Sequence, residues 1–372
     1  VHNKTLGTAA AVSVLLLAAV STGCATGDSA GTPSATASAP ATTPTAEIDW
    51  RKQPSAKLTV TIDLDKLKRG PDPKVPWYAG GVIHDGSQVT PVDHGMGDWA
   101  FETVQFRVAA GAYGVSVNHP EGGDSWNALI DRQGKVLERA DIQAVSADGS
   151  LVAWLEAVPK SRSSVPVVRD LKTGRTTRGK TQPIAGVDGF VGTKVLYTTL
   201  VRGGYVEGMA LWDPATDTNE PVSPDIANGH LLTDDVMLAG IRMAGEQGWC
   251  QDLYSFEQRK PLRKPCSGGS FQAIRNSPYF TWTVRDRGVI VDARTGRGVL
   301  RLTAAKGQYI SDLSGEPGGA LLVKVSGAVG SDIGGDEGKT AIVRCSLSGT
   351  CERASEIYEP KGGSKSLIEL PE

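Results

Sequence analysis

The sequence predicts an all-β fold, a β-propeller with seven four-stranded blades favoured over six or eight, on three observations. From residue 100 onward no long amphipathic helical pattern appears, and 45 Gly and 21 Pro among 372 residues cut the chain into many short elements. A short apolar strand with an aromatic or aliphatic centre recurs. With Tyr113, Trp154, Tyr197, Ala239, Trp282 and Val323 taken as equivalent, the steps are 41, 43, 42, 43 and 41 residues, the spacing of a propeller blade. Turn residues flank each recurrence. Asp148-Gly149, Gly192-Thr193 and Glu316-Pro317-Gly318 precede the strand, and Asp170 to Gly174, Asp213 to Asp217 and Asp292 to Gly296 follow the next one, which is hairpin chemistry.

In chain order, residues 1–23 read as an export signal. Lys4 precedes an apolar run from Ala9 to Val20, too short to span a bilayer and suited to a signal-peptide core. The run ends at Ser21-Thr22-Gly23-Cys24. This resembles the lipobox of bacterial lipoproteins, with Ser21 where Leu is usual. The resemblance implies cleavage before Cys24 and a diacylglyceryl group on that residue; ordinary secretion with cleavage near Ala25 is the alternative. Residues 24–52 are rich in Ala, Thr, Ser and Pro and bury too little apolar surface to fold, so a flexible tether is expected.

The propeller is expected over residues 53–372. Six repeats are visible, and a seventh blade is assembled from Leu58–Leu64, Trp77–Val92 and Ser366–Leu370, so that strands from both termini close the ring. The eight Trp and eight Tyr are expected mostly between blades. Cys250 with Cys266, and Cys345 with Cys351, are two local pairs expected to form disulfides across hairpins, since neighbouring strands lie within disulfide reach. Zinc would call for C-x-x-C spacing or nearby histidines, and neither pair has them.

Several motifs look chemical and carry little. Gly174 to Thr181 fits the P-loop pattern, but Pro183, Gly186 and Gly189 forbid the helix that would hold a phosphate. The similar stretch ending at Lys339-Thr340 has Ile333 where the first Gly belongs. Gly123-Asp124-Ser125 lacks the G-x-S-x-G elbow of a serine nucleophile. His84, His94 and His119 stand near acids without helical spacing, and the acidic loop around Asp332, Asp336 and Glu337 lacks a calcium pattern. No catalytic residue, metal or cofactor is expected. A net charge of −2 excludes a strongly basic nucleic-acid binder, and 22% charged residues exclude a polytopic membrane protein.

One set of residues follows the repeat. Arg107, Ser146, Asp188, His230, Arg275 and Asp312 stand at or near the ends of the first strands, one per repeat. First strands line a propeller's channel, so these side chains are expected to ring one of its mouths and bind a ligand or partner; bonding to neighbouring blades and water is the alternative.

The repeat pattern over residues 55–372 resembles WD40-like and TolB-type propellers, in particular the exported propeller lipoproteins of actinobacteria. Only Leu211-Trp212-Asp213 looks like the end of a WD40 repeat. The resemblance implies a non-catalytic binding or scaffolding module, monomeric, lipid-anchored to the outer face of the cell membrane, with a protein or small-ligand partner. An extracellular hydrolase or lyase acting on carbohydrate or peptide, and a small-ligand sensor, are the alternatives.

Overall fold

Alternation of apolar and polar side chains along short strands builds seven four-stranded units. The computed structural model describes residues 55–95, 103–118, 125–200, 206–223, 226–233, 235–242, 249–262, 270–284, 287–328, 337–359 and 368–371. The export signal, Cys24, the tether, His119 and Cys266 lie outside these residues.

The first strand, β1 (Thr59–Ile62), stands apart from the repeats. β2 (Trp77–Ala79), β3 (Val82–Asp85) and β4 (Gln88–Pro91) belong to blade VII. Blade I is β5 (Thr103–Ala109), β6 (Ala112–Asn118), β7 (Ser125–Asp131) and β8 (Val136–Glu138). Blade II is β9 (Ala144–Val145), β10 (Leu151–Ala157), β11 (Ser164–Asp170) and β12 (Thr176–Arg178). Blade III is β13 (Ile184–Val191), β14 (Lys194–Leu200), β15 (Val206–Asp213) and β16 (Thr218–Ser223). Blade IV is β17 (Ile226–Leu231), β18 (Val236–Arg242), β19 (Trp249–Ser255) and β20 (Lys260–Pro261). Blade V is β21 (Ser270–Ala273), β22 (Tyr279–Val284), β23 (Arg287–Asp292) and β24 (Gly298–Ala304). Blade VI is β25 (Gln308–Gly315), β26 (Leu321–Ala328), β27 (Glu337–Cys345) and β28 (Cys351–Arg353). Finally β29 (Ile368–Glu369) pairs antiparallel with β2 and becomes the first strand of blade VII. The chain is therefore a seven-bladed β-propeller. Among the described residues no helix is long and apolar enough to cross a membrane.

All six repeat anchors fall on the second strands of their blades and are buried. The turn from third to fourth strand repeats a physical device. Asp170 Oδ1 accepts the N–H groups of Lys172 and Thr173, Asp213 Oδ1 accepts that of Ala215, and Asp292 Oδ1 that of Arg294. The turn then closes through a left-handed residue: Gly174 (φ 72°) and Gly296 (φ 64°), or Asp217 (φ 53°) where glycine is missing. In this setting the P-loop-like stretch is a hairpin, with Thr176–Arg178 as an outer strand and Lys180 paired with Asp217 at 3.3 Å.

The core is divided among the spaces between blades. Tyr78 and Ile83 meet Phe106 and Trp126 between VII and I, Ala153 meets Tyr197 and Trp212 between II and III, and Leu238 meets Phe271 and Trp282 between IV and V. Trp77, Leu322, Ile342, Ile368 and Leu370 fill the space between VI and VII where the ring closes. Cys345 and Cys351 lie opposite each other on β27 and β28 and are disulfide-bonded, as the hairpin spacing predicts. Cys250, on β19, is also disulfide-bonded.

One expectation about the seventh blade is corrected. Leu58–Leu64 does not enter it. β1 pairs parallel with β24 as a fifth, outermost strand of blade V, with Thr59 opposite Arg301 and Ile62 opposite Ala304. Blade VII is already complete, because two tight turns fold β2, β3 and β4 on one another. Gly80 and Gly81 both have positive φ, the geometry of a hairpin turn matched to strand twist. Ile62 and Leu64 instead find apolar partners at Leu300, Val343 and Cys345.

Candidate functional site

The first strands end around the channel, and the turns that follow them form its mouth. Two β-bulges shape this region. The register of β13 slips between Val187 and Gly189, and that of β25 between Ile310 and Asp312. Asp188 is the extra residue of the first bulge, and bulges redirect side chains in this way.

A cavity of about 270 Å³ on the channel is lined by Arg107, Asp188, His230 and Arg275, together with Gln143 and Thr233. Four members of the expected ring, from blades I, III, IV and V, thus converge. A fifth, Asp312, accepts from Arg275 Nη1 at 3.1 Å and holds that guanidinium from blade VI. Ser146 does not join them. Its hydroxyl donates to Asp148 Oδ1 at 2.8 Å and accepts the N–H of Leu151, holding the turn between β9 and β10. It borders a second cavity of about 600 Å³ at the mouth, which Arg107 also lines.

Asp188 is half-buried and His230 is exposed to the channel, yet protein atoms crowd both, and desolvation dominates their chemistry. It pushes the Asp188 carboxyl up to about 7, against hydrogen bonds from Thr198 Oγ1 at 2.8 Å and from the N–H groups of Gly229 and Thr198. Burial, and then the charges of Arg107 and Arg275, push the His230 imidazole down to about 4. At neutral pH the cavity therefore presents two guanidiniums, that of Arg275 paired with Asp312, a neutral imidazole and a carboxyl on the edge of ionisation. Such a lumen favours an anionic group and offers proton donors and acceptors beside it.

The other histidines do different work. His84 stacks on Trp77 with ring centroids 4.2 Å apart, and burial lowers its pKa. His94 meets the edge of Trp126 at 6.5 Å. Among the described residues no group of three or more His, Cys, Asp or Glu side chains is placed to hold a metal ion. Sequence reasoning passed over Gln143 and Thr233. Gln143 stands just before β9, and its Oε1 accepts the N–H of Val187 at 2.9 Å, a contact with no local sequence signal.

No protein-family model and no curated protein matches the chain. Among solved structures it is similar to the β-propeller domain of the Trilobed protease from Pyrococcus furiosus, at 13% identity and TM-score 0.44, over 70% of this chain and 95% of that one. It is similar to an uncharacterized protein of Listeria monocytogenes at 11% identity and TM-score 0.44, over 74% of this chain and 87% of that one. Similarity to the Pyrococcus horikoshii acylaminoacyl peptidase, at 12% identity and TM-score 0.41, covers 69% of this chain and 53% of that one.

Proposed function

We propose that the protein is a non-catalytic binding module, exported and lipid-anchored through Cys24 to the outer face of the cell membrane, whose channel receives an anionic group of a protein or small-molecule partner. One observation carries the reading: Arg107, Asp188, His230 and Arg275 come from four blades and line a single cavity. The two guanidiniums supply attraction and geometry for a carboxylate or phosphate. The anchor rests on the apolar run, Gly23-Cys24 and the polar stretch that follows. The fold by itself does not assign a function.

The test is crosslinking on intact cells with a tagged chain, followed by mass spectrometry of what co-purifies. Arg275→Ala combined with Asp312→Ala removes both halves of a half-buried pair, so the variant stays folded and loses the partner that the wild type captures. Cys24→Ala moves the protein out of the membrane fraction. Capture of the same partner by the double variant, or an unchanged fractionation of Cys24→Ala, contradicts the corresponding half of the reading.

A further inference from the structure

The space between blades I and II differs from the others. In blade I, Phe106, Tyr113, Val115, Trp126 and Ile130 turn toward blade VII and are buried there. The alternate side chains face blade II, and only half of that face closes apolar, through Ala109, Ala112, Leu129, Ile142 and Trp154. Along the other half the register sets uncharged polar side chains in two rows: Gln105 opposite Ser116 opposite Asn127, and Asn118 opposite Ser125. They border a cleft of about 370 Å³ whose far wall is Asp141 and Gln143.

The walls are ordered before anything binds. Ser116 Oγ donates to Asn127 Oδ1 at 2.6 Å, and Asn118 Nδ2 donates to Ser116 Oγ at 3.2 Å. Gln143 Nε2 donates to Asp141 Oδ2 at 3.2 Å, while its Oε1 is fixed by Val187 of blade III. Gln105 is exposed, and the apolar side chains nearby, Phe106 and Ile142, are buried. Carboxamides and hydroxyls each combine donor and acceptor capacity, which matches sugar hydroxyls. An apolar peptide side chain would find little apolar wall, since Phe106 and Ile142 line the cleft but are buried, and an anion approaching Arg107 would also meet Asp141.

We propose that this cleft binds a neutral saccharide, at a site separate from the anion-attracting cavity though continuous with it at Arg107 and Gln143. A preordered polar wall limits the ordering cost of such a ligand. The full chain is titrated calorimetrically with maltohexaose, xylohexaose and chitohexaose, with a Gly-Ser hexapeptide as competitor. At least one saccharide binds, and Gln105→Ala and Asn127→Ala each weaken it about tenfold, as expected for a lost hydrogen-bonding group. Gln105→Ala removes an exposed side chain and keeps the fold even if Asn127→Ala does not. Arg275→Ala leaves saccharide binding unchanged, so failure here is distinguishable from failure of the channel reading. Absence of binding by all three saccharides, wild-type affinity in Gln105→Ala, or equal competition by the hexapeptide overturns the proposal.

Discussion

Asp188 and His230 line the same cavity and bias stability in opposite directions as pH changes. The Asp188 carboxyl is raised from 3.8 to about 7, so between those values the folded state holds a proton that the unfolded chain releases. Stability then falls as pH rises across that window. The His230 imidazole is lowered from 6.5 to about 4, so the unfolded chain binds the extra proton and stability rises with pH between about 4 and 6.5. The two trends oppose each other in the wild type. Asp188→Asn keeps the size of the side chain and removes the falling limb. Relative to wild type it gains stability progressively from pH 4 to 7, on the order of 1–3 kcal/mol once channel water is allowed for, and the gain is flat above. Urea midpoints at pH 4, 5.5 and 7.5 measure this; an offset independent of pH would mean that Asp188 is ionised throughout. Both residues are legible in the sequence because they recur once per repeat. That Ser146 serves a turn is not legible, because its bonds to Asp148 and Leu151 depend on the conformation of the turn itself.

At the scale of the strand, the blades were readable wherever local chemistry encodes them. A buried second strand every 42 residues or so, and an Asp-led turn in several of the repeats, need no distant partner to be recognised. β1 has no such signal. Its partner, β24, lies about 240 residues away and runs parallel, so no hairpin turn announces the pairing. What places β1 is fit: Ile62 and Leu64 enter the apolar space beside blade V, and Thr61 Oγ1 meets Thr303 Oγ1 at 3.0 Å. Gly298 permits the close approach, since a Cβ there would lie 2.7 Å from the carbonyl oxygen of Ser55. The polar rows of blade I, with Ser116, Asn118, Ser125 and Asn127, likewise emerge only from the strand register, because the sequence does not say which neighbour that face meets. β1 also covers the outer edge of blade V, and exposed edges invite pairing between chains. A chain beginning at Asp63 is therefore expected to self-associate with increasing concentration, while the longer chain stays unchanged, as read by sedimentation velocity. A monomeric Asp63 chain with unaltered stability would assign β1 no protective part.

For the propeller as a whole, the decisive contact is the one between blades VI and VII, where β29 joins β2. Blades stacked in a row would leave two apolar faces uncovered, and the ring removes both only when blade VI meets blade VII. That meeting depends on β29. Ile368 and Leu370 are fully buried beside Trp77, Leu322 and Ile342, and burying a side chain of this size contributes about 1.5–3 kcal/mol. Lys324 Nζ reaches Glu369 Oε1 at 3.1 Å, an ion pair that links blade VI to the inner strand of blade VII. A second pair, Arg344 with Glu316, is almost wholly buried; Arg344 also donates to the carbonyls of Pro71 and Asp72, and Glu316 Oε1 accepts the N–H of Lys74. Burial pushes the Glu316 carboxyl up, but Arg344 and Lys74 overcome it and hold the group below its ordinary value. The segment leading into blade VII is thus clamped to blade VI before β2 begins, and β29 completes the closure from the other end of the chain. Ile368→Ala is expected to cost about 2–5 kcal/mol, the range for emptying a packed aliphatic site. A chain ending at Lys365 loses more, because the inner edge of β2 is left without a partner. If closure works by strand addition, a synthetic peptide of residues 366–372 restores the denaturation midpoint of that truncated chain in a concentration-dependent way. Failure of the peptide to shift the midpoint, with Ile368→Ala as stable as wild type, would place the closing energy in the clamp around Arg344 instead of in β29.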